Sequence, residues 1–165
     1  MIKPILAILL AALVLFGAAF GLQTLAAQNA QQEHITMLRT LLPGSNEFVV
    51  EPYTGTDTNI RSVHKGENGF VIETVTAGYA GDITMLIGVS DKGTVTGLVV
   101  RDMSETFGLG ANGLTDHSFL AQFLNTDGGA EVGTNVDAIT GATVTSRAVT
   151  EAVERALKLV EEVGK

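Results

Sequence analysis

The chain opens on a long apolar stretch. From Ile5 to Leu22 no side chain is charged or strongly polar, and Leu25 to Ala27 prolong the run past Gln23 and Thr24. A helix rising about 1.5 Å per residue needs roughly 20 residues to cross a hydrocarbon layer about 30 Å thick, so the pattern predicts a transmembrane anchor within residues 1–27. A cleaved signal peptide is the alternative. Its apolar region usually runs about 7–15 residues to a small-residue cleavage site, and Thr24-Leu25-Ala26 is the nearest approach to one. Gln28 to Leu42 then carries Ile35, Leu38, Leu41 and Leu42 at helical spacing and stops at Pro43-Gly44, which predicts a stalk or packing helix over 28–44.

From residue 45 the period changes. Segments rich in Val, Ile and Thr predict strands at Gly69–Thr76, Ile83–Ser90 and Val95–Arg101, with shorter ones at Phe48–Val50 and Ile60–His64. Asp91-Lys92-Gly93 has the composition of a tight hairpin loop, so the sheet is expected to be antiparallel. Gly78-Tyr79-Ala80-Gly81 reads as a turn in which Tyr79 anchors the core. A short helix is expected from Asp116 to Leu124. A last helix, about Ser146 to Val163, would bury Val149, Val153, Leu157 and Val160, with Ala152 and Ala156 allowing close approach. Strands grouped before helices predict an α+β domain over 45–165, an antiparallel sheet packed with helices and preceded by one N-terminal transmembrane helix.

Composition narrows the functions open to this fold. Ten basic residues are scattered among eighteen acids for a net charge of −8, so no groove for nucleic acid is expected. The chain has no cysteine, which excludes a cysteine-ligated iron–sulfur cluster, a thiol nucleophile and a disulfide framework. His34, His64 and His117 lack metal-ligand spacing, and no metal site is expected. Lys3 and the amino terminus, the only positive charges before the apolar stretch, favour a cytoplasmic N-terminus with everything after residue 27 outside.

Two segments could carry chemistry. The run Asp137-Ala138-Ile139-Thr140-Gly141-Ala142-Thr143 sets Thr140, Thr143, Thr145 and Ser146 around Gly141 and Ala142, just upstream of Arg147 and the last helix. Small residues let a bulky group approach, and helix N-terminal amides favour a phosphate; ordinary capping by Ser or Thr accounts for the same residues. Gly108-Leu109-Gly110-Ala111-Asn112-Gly113 matches G-x-G-x-x-G. A dinucleotide site would place it in the first βαβ unit of a parallel sheet, whereas here a hairpin precedes it and no alternation of strands and helices follows.

The Asp137–Thr143 run fits Asp-x-x-Ser/Thr-Gly-Ala-Ser/Thr, the pattern read by flavin transferases, and with Val144 to Leu157 behind it the segment resembles the G subunits of Rnf electron-transport complexes. Ser104-Glu105-Thr106-Phe107-Gly108-Leu109-Gly110 is similar to the SETPGLG-type segment of that family, with Phe107 in place of Pro and Met103 in place of a common His. Thr76 to Val100 resembles the family's GY-x-G turn and the two strands after it. The resemblance implies FMN joined by a phosphoester to Thr143, with Thr140, Gly141, Ala142, Thr145, Ser146 and Arg147 around the phosphate. It also implies Glu105, Thr106, Gly108, Leu109 and Gly110 near the ring, and Asp137 recognised by the transferase. The implied protein is an electron carrier, single-pass in the inner membrane, within a complex moving electrons between ferredoxin and NAD while transporting Na⁺ or H⁺. Its expected partners are the other membrane subunits, the flavin transferase and the lipid bilayer. The C subunit of a sodium-pumping NADH:quinone reductase, a free-standing extracytoplasmic flavoprotein and a tethered module without a redox group are the alternatives.

Overall fold

The computed structural model describes residues 28–104, 110–115 and 117–163. The expected anchor within 1–27 and the residues Glu105, Thr106, Gly108 and Leu109 lie outside them. Among the described residues no helix is long and apolar enough to cross a membrane.

The described chain opens in a helix, α1, over residues 28–41, whose last turn from Leu38 belongs to the compact unit that ends the chain. Five strands follow: β1 (Val49–Glu51), β2 (Ile60–Lys65), β3 (Gly69–Ala77), β4 (Asp82–Ser90) and β5 (Val95–Met103). They pair in chain order, each antiparallel to the next, as short connections between alternating apolar segments dictate. Three helices complete the fold: α2 (Gly110–Thr115), α3 (His117–Ala121) and α4 (Thr143–Val163). This α+β meander has no parallel strand pair in its sheet, which removes the βαβ unit that the G-x-G-x-x-G reading needs. The second half of that glycine segment is helical, in α2, instead of looped.

The two sheet faces bury different partners, because side chains alternate along each strand. Phe70 and Ile72 of β3 and Ile83, Met85, Ile87 and Val89 of β4 face α4, which lays down Val149, Val153, Leu157 and Val160. Ala148, Ala152 and Ala156, spaced one turn apart, keep that helix close to the strands. Leu114 of α2 and Phe119, Leu120 and Phe123 extend the same core, the two phenylalanines meeting edge to face at 5.5 Å. Past α3, Asn125 N–H donates to Val95 O and Val95 N–H to Thr126 O, both at 2.9 Å, which fastens this segment to the start of β5.

On the opposite face Leu38, Leu41 and Leu42 pack on Val71 and Leu86, with Phe48 and Val99 alongside. Gly88 and Gly97 are cross-strand partners there. A Cβ on Gly88 would stand 2.1 Å from the Leu41 carbonyl oxygen, and one on Gly97 3.0 Å from Leu41 Cα. The glycine pair is therefore a flat seat for the end of α1, and Thr96 Oγ1 donates to Leu41 O at 2.6 Å beside it.

Several boundaries differ from expectation. β1 starts one residue later, at Val49, and α3 ends at Ala121 in a turn instead of running to Leu124. α4 begins at Thr143, three residues earlier than its composition suggests. Tyr79, expected to anchor the core, is 72% exposed in its turn, which Gly78 N–H closes onto Gly81 O.

Candidate functional site

The Asp137–Thr143 run forms a loop between Val136, buried in the core, and α4. Ala142 N–H donates to Ile139 O at 2.9 Å, closing a four-residue turn over Ile139–Ala142. Gly141 occupies the third position with φ +76° while Thr140 keeps a negative φ, the geometry of a type II turn, in which a Cβ at the third position is strained. Ala142 O then accepts the first helical bond, from Ser146 N–H at 2.9 Å, so Ala142 is the N-cap and Thr143 the first residue of the helix. Ala142 is itself buried, at 7% exposure.

Ser146 locks this entrance. Its hydroxyl is fully buried, accepts from Ile139 N–H at 2.9 Å and donates to Ala142 O at 2.9 Å. Thr145 is equally buried. At the other end of the loop, Asp137 N–H donates to Gln122 Oε1 at 2.8 Å and Gln122 Nε2 donates to Asp137 O at 3.2 Å. Gln122, just beyond α3, carries no sequence signal for this role, because a Gln at a helix end reads as solvated surface.

What the loop leaves outward is as informative. Thr140, Thr143 and the Asp137 carboxylate are exposed, and the carboxylate has no hydrogen bond or ion pair with a described residue. Neither Thr143 N–H nor Val144 N–H meets an acceptor among the described residues. Such uncommitted first-turn donors, with the positive end of a helix dipole and no acidic residue in the turn, suit a phosphate. Arg147 stands four residues on from Thr143, hence on the same helix face, exposed and unpaired with any described carboxylate. Gly110, the one residue of the expected ring-side segment inside the described chain, is buried at the start of α2.

Two concavities lie elsewhere. A groove of about 920 Å³ runs along α4 between Asp57, Lys92, Glu154, Arg155, Lys158 and neighbours, and one of about 220 Å³ lies by Tyr53, Val63 and Leu159. Neither is lined by a residue of the Asp137–Arg147 segment.

Comparison with known proteins bears directly on this loop. The model of the FMN-binding domain matches residues 78–158, from the β3–β4 turn through most of α4. The G subunit of an ion-translocating oxidoreductase complex of Methanosarcina acetivorans is 35% identical over 79% of this chain and 76% of its own length. A protein of the same description from Shewanella baltica is 31% identical over 95% and 88%. The chain belongs to this G-subunit family. The G subunit of the Na(+)-translocating ferredoxin:NAD(+) oxidoreductase complex of Acetobacterium woodii is 34% identical over 59% of the chain, which spans about half, 51%, of that relative. The family's FMN-binding domain thus contains the whole Asp137–Thr143 loop, and the residues there fit the phosphate end of a flavin nucleotide: an exposed hydroxyl, free amide donors, an unpaired guanidinium and two small residues.

Proposed function

We propose that this member of the G-subunit family is a membrane-anchored electron carrier of an Rnf-type ion-translocating complex, with FMN joined through a phosphoester to Thr143. One observation carries the reading: Thr143 is exposed on the first residue of α4, where the Thr143 and Val144 amide donors have no acceptor among the described residues. Arg147 and the first-turn N–H groups would hold the phosphate, with the exposed Thr140 and Gly141 and the small Ala142 beside it. The flavin, when bound, supplies the redox chemistry by taking up and releasing electrons. The protein's own contribution is to orient it and to present it to neighbouring carriers.

The wider assignment follows from the relatives' descriptions: electrons pass between ferredoxin and NAD with coupled movement of Na⁺ or H⁺, alongside other membrane subunits. An anchor over 1–27, a stalk over 28–44 and a flavin domain over 45–165 outside the cytoplasm complete it. Asp137, exposed and unpaired, is the recognition group for a flavin transferase. Co-expression with that transferase should raise the intact mass by FMN less one water and give flavin fluorescence that survives denaturation. Thr143→Ala should lose both while the domain keeps its stability to within about 0.5 kcal/mol, as expected of an exposed position. An adduct that persists in Thr143→Ala refutes the assignment.

A further inference from the structure

We propose that Gln122 is a positioning residue for flavin attachment, holding the Asp137–Thr143 loop in a preformed shape so that the transferase acts on the folded domain. The inference rests on Thr143 being the acceptor. Gln122 grips both main-chain groups of Asp137, accepting from its N–H at 2.8 Å and donating to its carbonyl at 3.2 Å, the pair of bonds a neighbouring strand would make. Ser146 holds Ile139 from the other side, and the turn over Ile139–Ala142 fixes what lies between. The loop is thus fastened at three points by bonds that use main-chain groups or buried hydroxyls. The two groups the transferase must find, the Asp137 carboxylate and the Thr143 hydroxyl, are left free at its two ends.

That arrangement has a chemical purpose. In the attachment step the Thr143 Oγ–H proton passes to a base of the transferase and the Oγ–P bond forms. A P–O bond of the donor's phosphoanhydride breaks; with a flavin adenine dinucleotide as donor, AMP leaves and no electron changes hands. In-line attack needs the hydroxyl at a defined distance from the recognition point, and an unanchored loop would have to be ordered at that moment. Gln122 is exposed and outside the apolar core, so its value lies in this ordering and not in global stability.

The test uses the full chain made without transferase, then incubated with purified transferase and flavin adenine dinucleotide. Initial rates are read as denaturation-resistant fluorescence and checked by intact mass. Gln122→Ala should lower kcat/KM for attachment by about tenfold or more, with its melting temperature within about 2 °C of wild type. Gln122→Glu, which can still accept from Asp137 N–H but cannot donate to its carbonyl, should fall between. Excess transferase should bring both variants to the same stoichiometric adduct at Thr143, and a synthetic peptide covering residues 131–150 should react more slowly than any of them. A wild-type rate in Gln122→Ala, or a peptide as good as the folded chain, overturns the proposal. So does a rate that falls only in step with melting temperature, which would make Gln122 merely structural. An adduct retained in Thr143→Ala would instead remove the acceptor assignment, and this inference with it.

Discussion

Replacing Gly88 by Ala would set a methyl group against the main chain of Leu41. Its Cβ would lie 2.1 Å from the Leu41 carbonyl oxygen, 2.8 Å from the carbonyl carbon and 2.8 Å from Thr96 Oγ1. Two of these three are backbone atoms, so no change of rotamer relieves the contact and the end of α1 must lift. Complete release of Leu38, Leu41 and Leu42 would forfeit roughly 1.5–3 kcal/mol per side chain. That sum, about 5–9 kcal/mol, rivals the whole stability of an ordinary domain, about 5–15 kcal/mol. A partial lift costs less. Overpacking typically costs about 1–3 kcal/mol and loss of the Thr96–Leu41 bond about 1 kcal/mol, so Gly88→Ala should destabilise by roughly 2–4 kcal/mol. Gly97→Ala places its Cβ 3.0 Å from Leu41 Cα and carbonyl oxygen, a shortfall of a few tenths of an ångström, and should cost about 1 kcal/mol or less. Urea denaturation measures both, and hydrogen exchange at residues 38–42 locates the damage. Equal stability of Gly88→Ala and wild type, or a larger loss at Gly97 than at Gly88, would refute the seat.

Three further outcomes are expected. Thr74 is fully buried on β3, and its Oγ1 has no hydrogen-bond partner among the described residues; Thr74→Val should therefore stabilise the domain by about 1 kcal/mol, and a lowered melting temperature would show that the hydroxyl has a partner after all. For Asp57, burial alone would raise the carboxyl pKa, but hydrogen bonds from Asn59 and Arg155 together with the Arg155 charge outweigh it and hold the pKa below the ordinary carboxylate value. A depressed pKa gives stability that is complete above the unfolded value, about 3.9, and lost as pH falls through the folded one, so the gap between wild type and Asp57→Asn should be flat at neutral pH and shrink in acid. A gap that widens on acidification contradicts this. Gly141→Ala forces a side chain to φ +76°, at a cost of about 1–2 kcal/mol in chemical denaturation, and should slow flavin attachment as well; unchanged stability would mean the turn is not type II.

The elements that sequence alone could place are those whose local chemistry and tertiary role agree. β3, β4 and β5 combine β-branched residues with the Asp91-Lys92-Gly93 loop, closed by Gly93 N–H on Ser90 O, and they lie within two residues of where the hydrophobic pattern puts them. The start of α4 is harder, because Thr143, Val144 and Thr145 are poor helix formers and Ala142 is a poor cap; buried Thr145 and Ser146 hold that turn from the tertiary side. α2 is hidden for a similar reason. Gly110-Ala111-Asn112-Gly113 discourages a helix, yet Leu114 reaches the core from it. At the site, the motif points to Thr143 and Asp137, while the inward turn of the Ser146 hydroxyl, which binds Ile139 and Ala142, lies outside the motif and needs the fold to be seen. Gln122 is invisible in the sequence because its meaning depends on a residue fifteen positions away.

The meander also sets a timetable. Each strand hydrogen-bonds to the one just made, so the sheet can assemble as the chain is synthesised, but Phe70, Ile72, Met85 and Ile87 stay uncovered until α4, which follows all five strands, arrives. The element that closes this apolar face is the one that begins with Thr143. Covering of this face and placement of the Thr143 hydroxyl at a formed helix start are therefore expected to be a single event, so that a half-folded chain should present that hydroxyl less well than the folded domain.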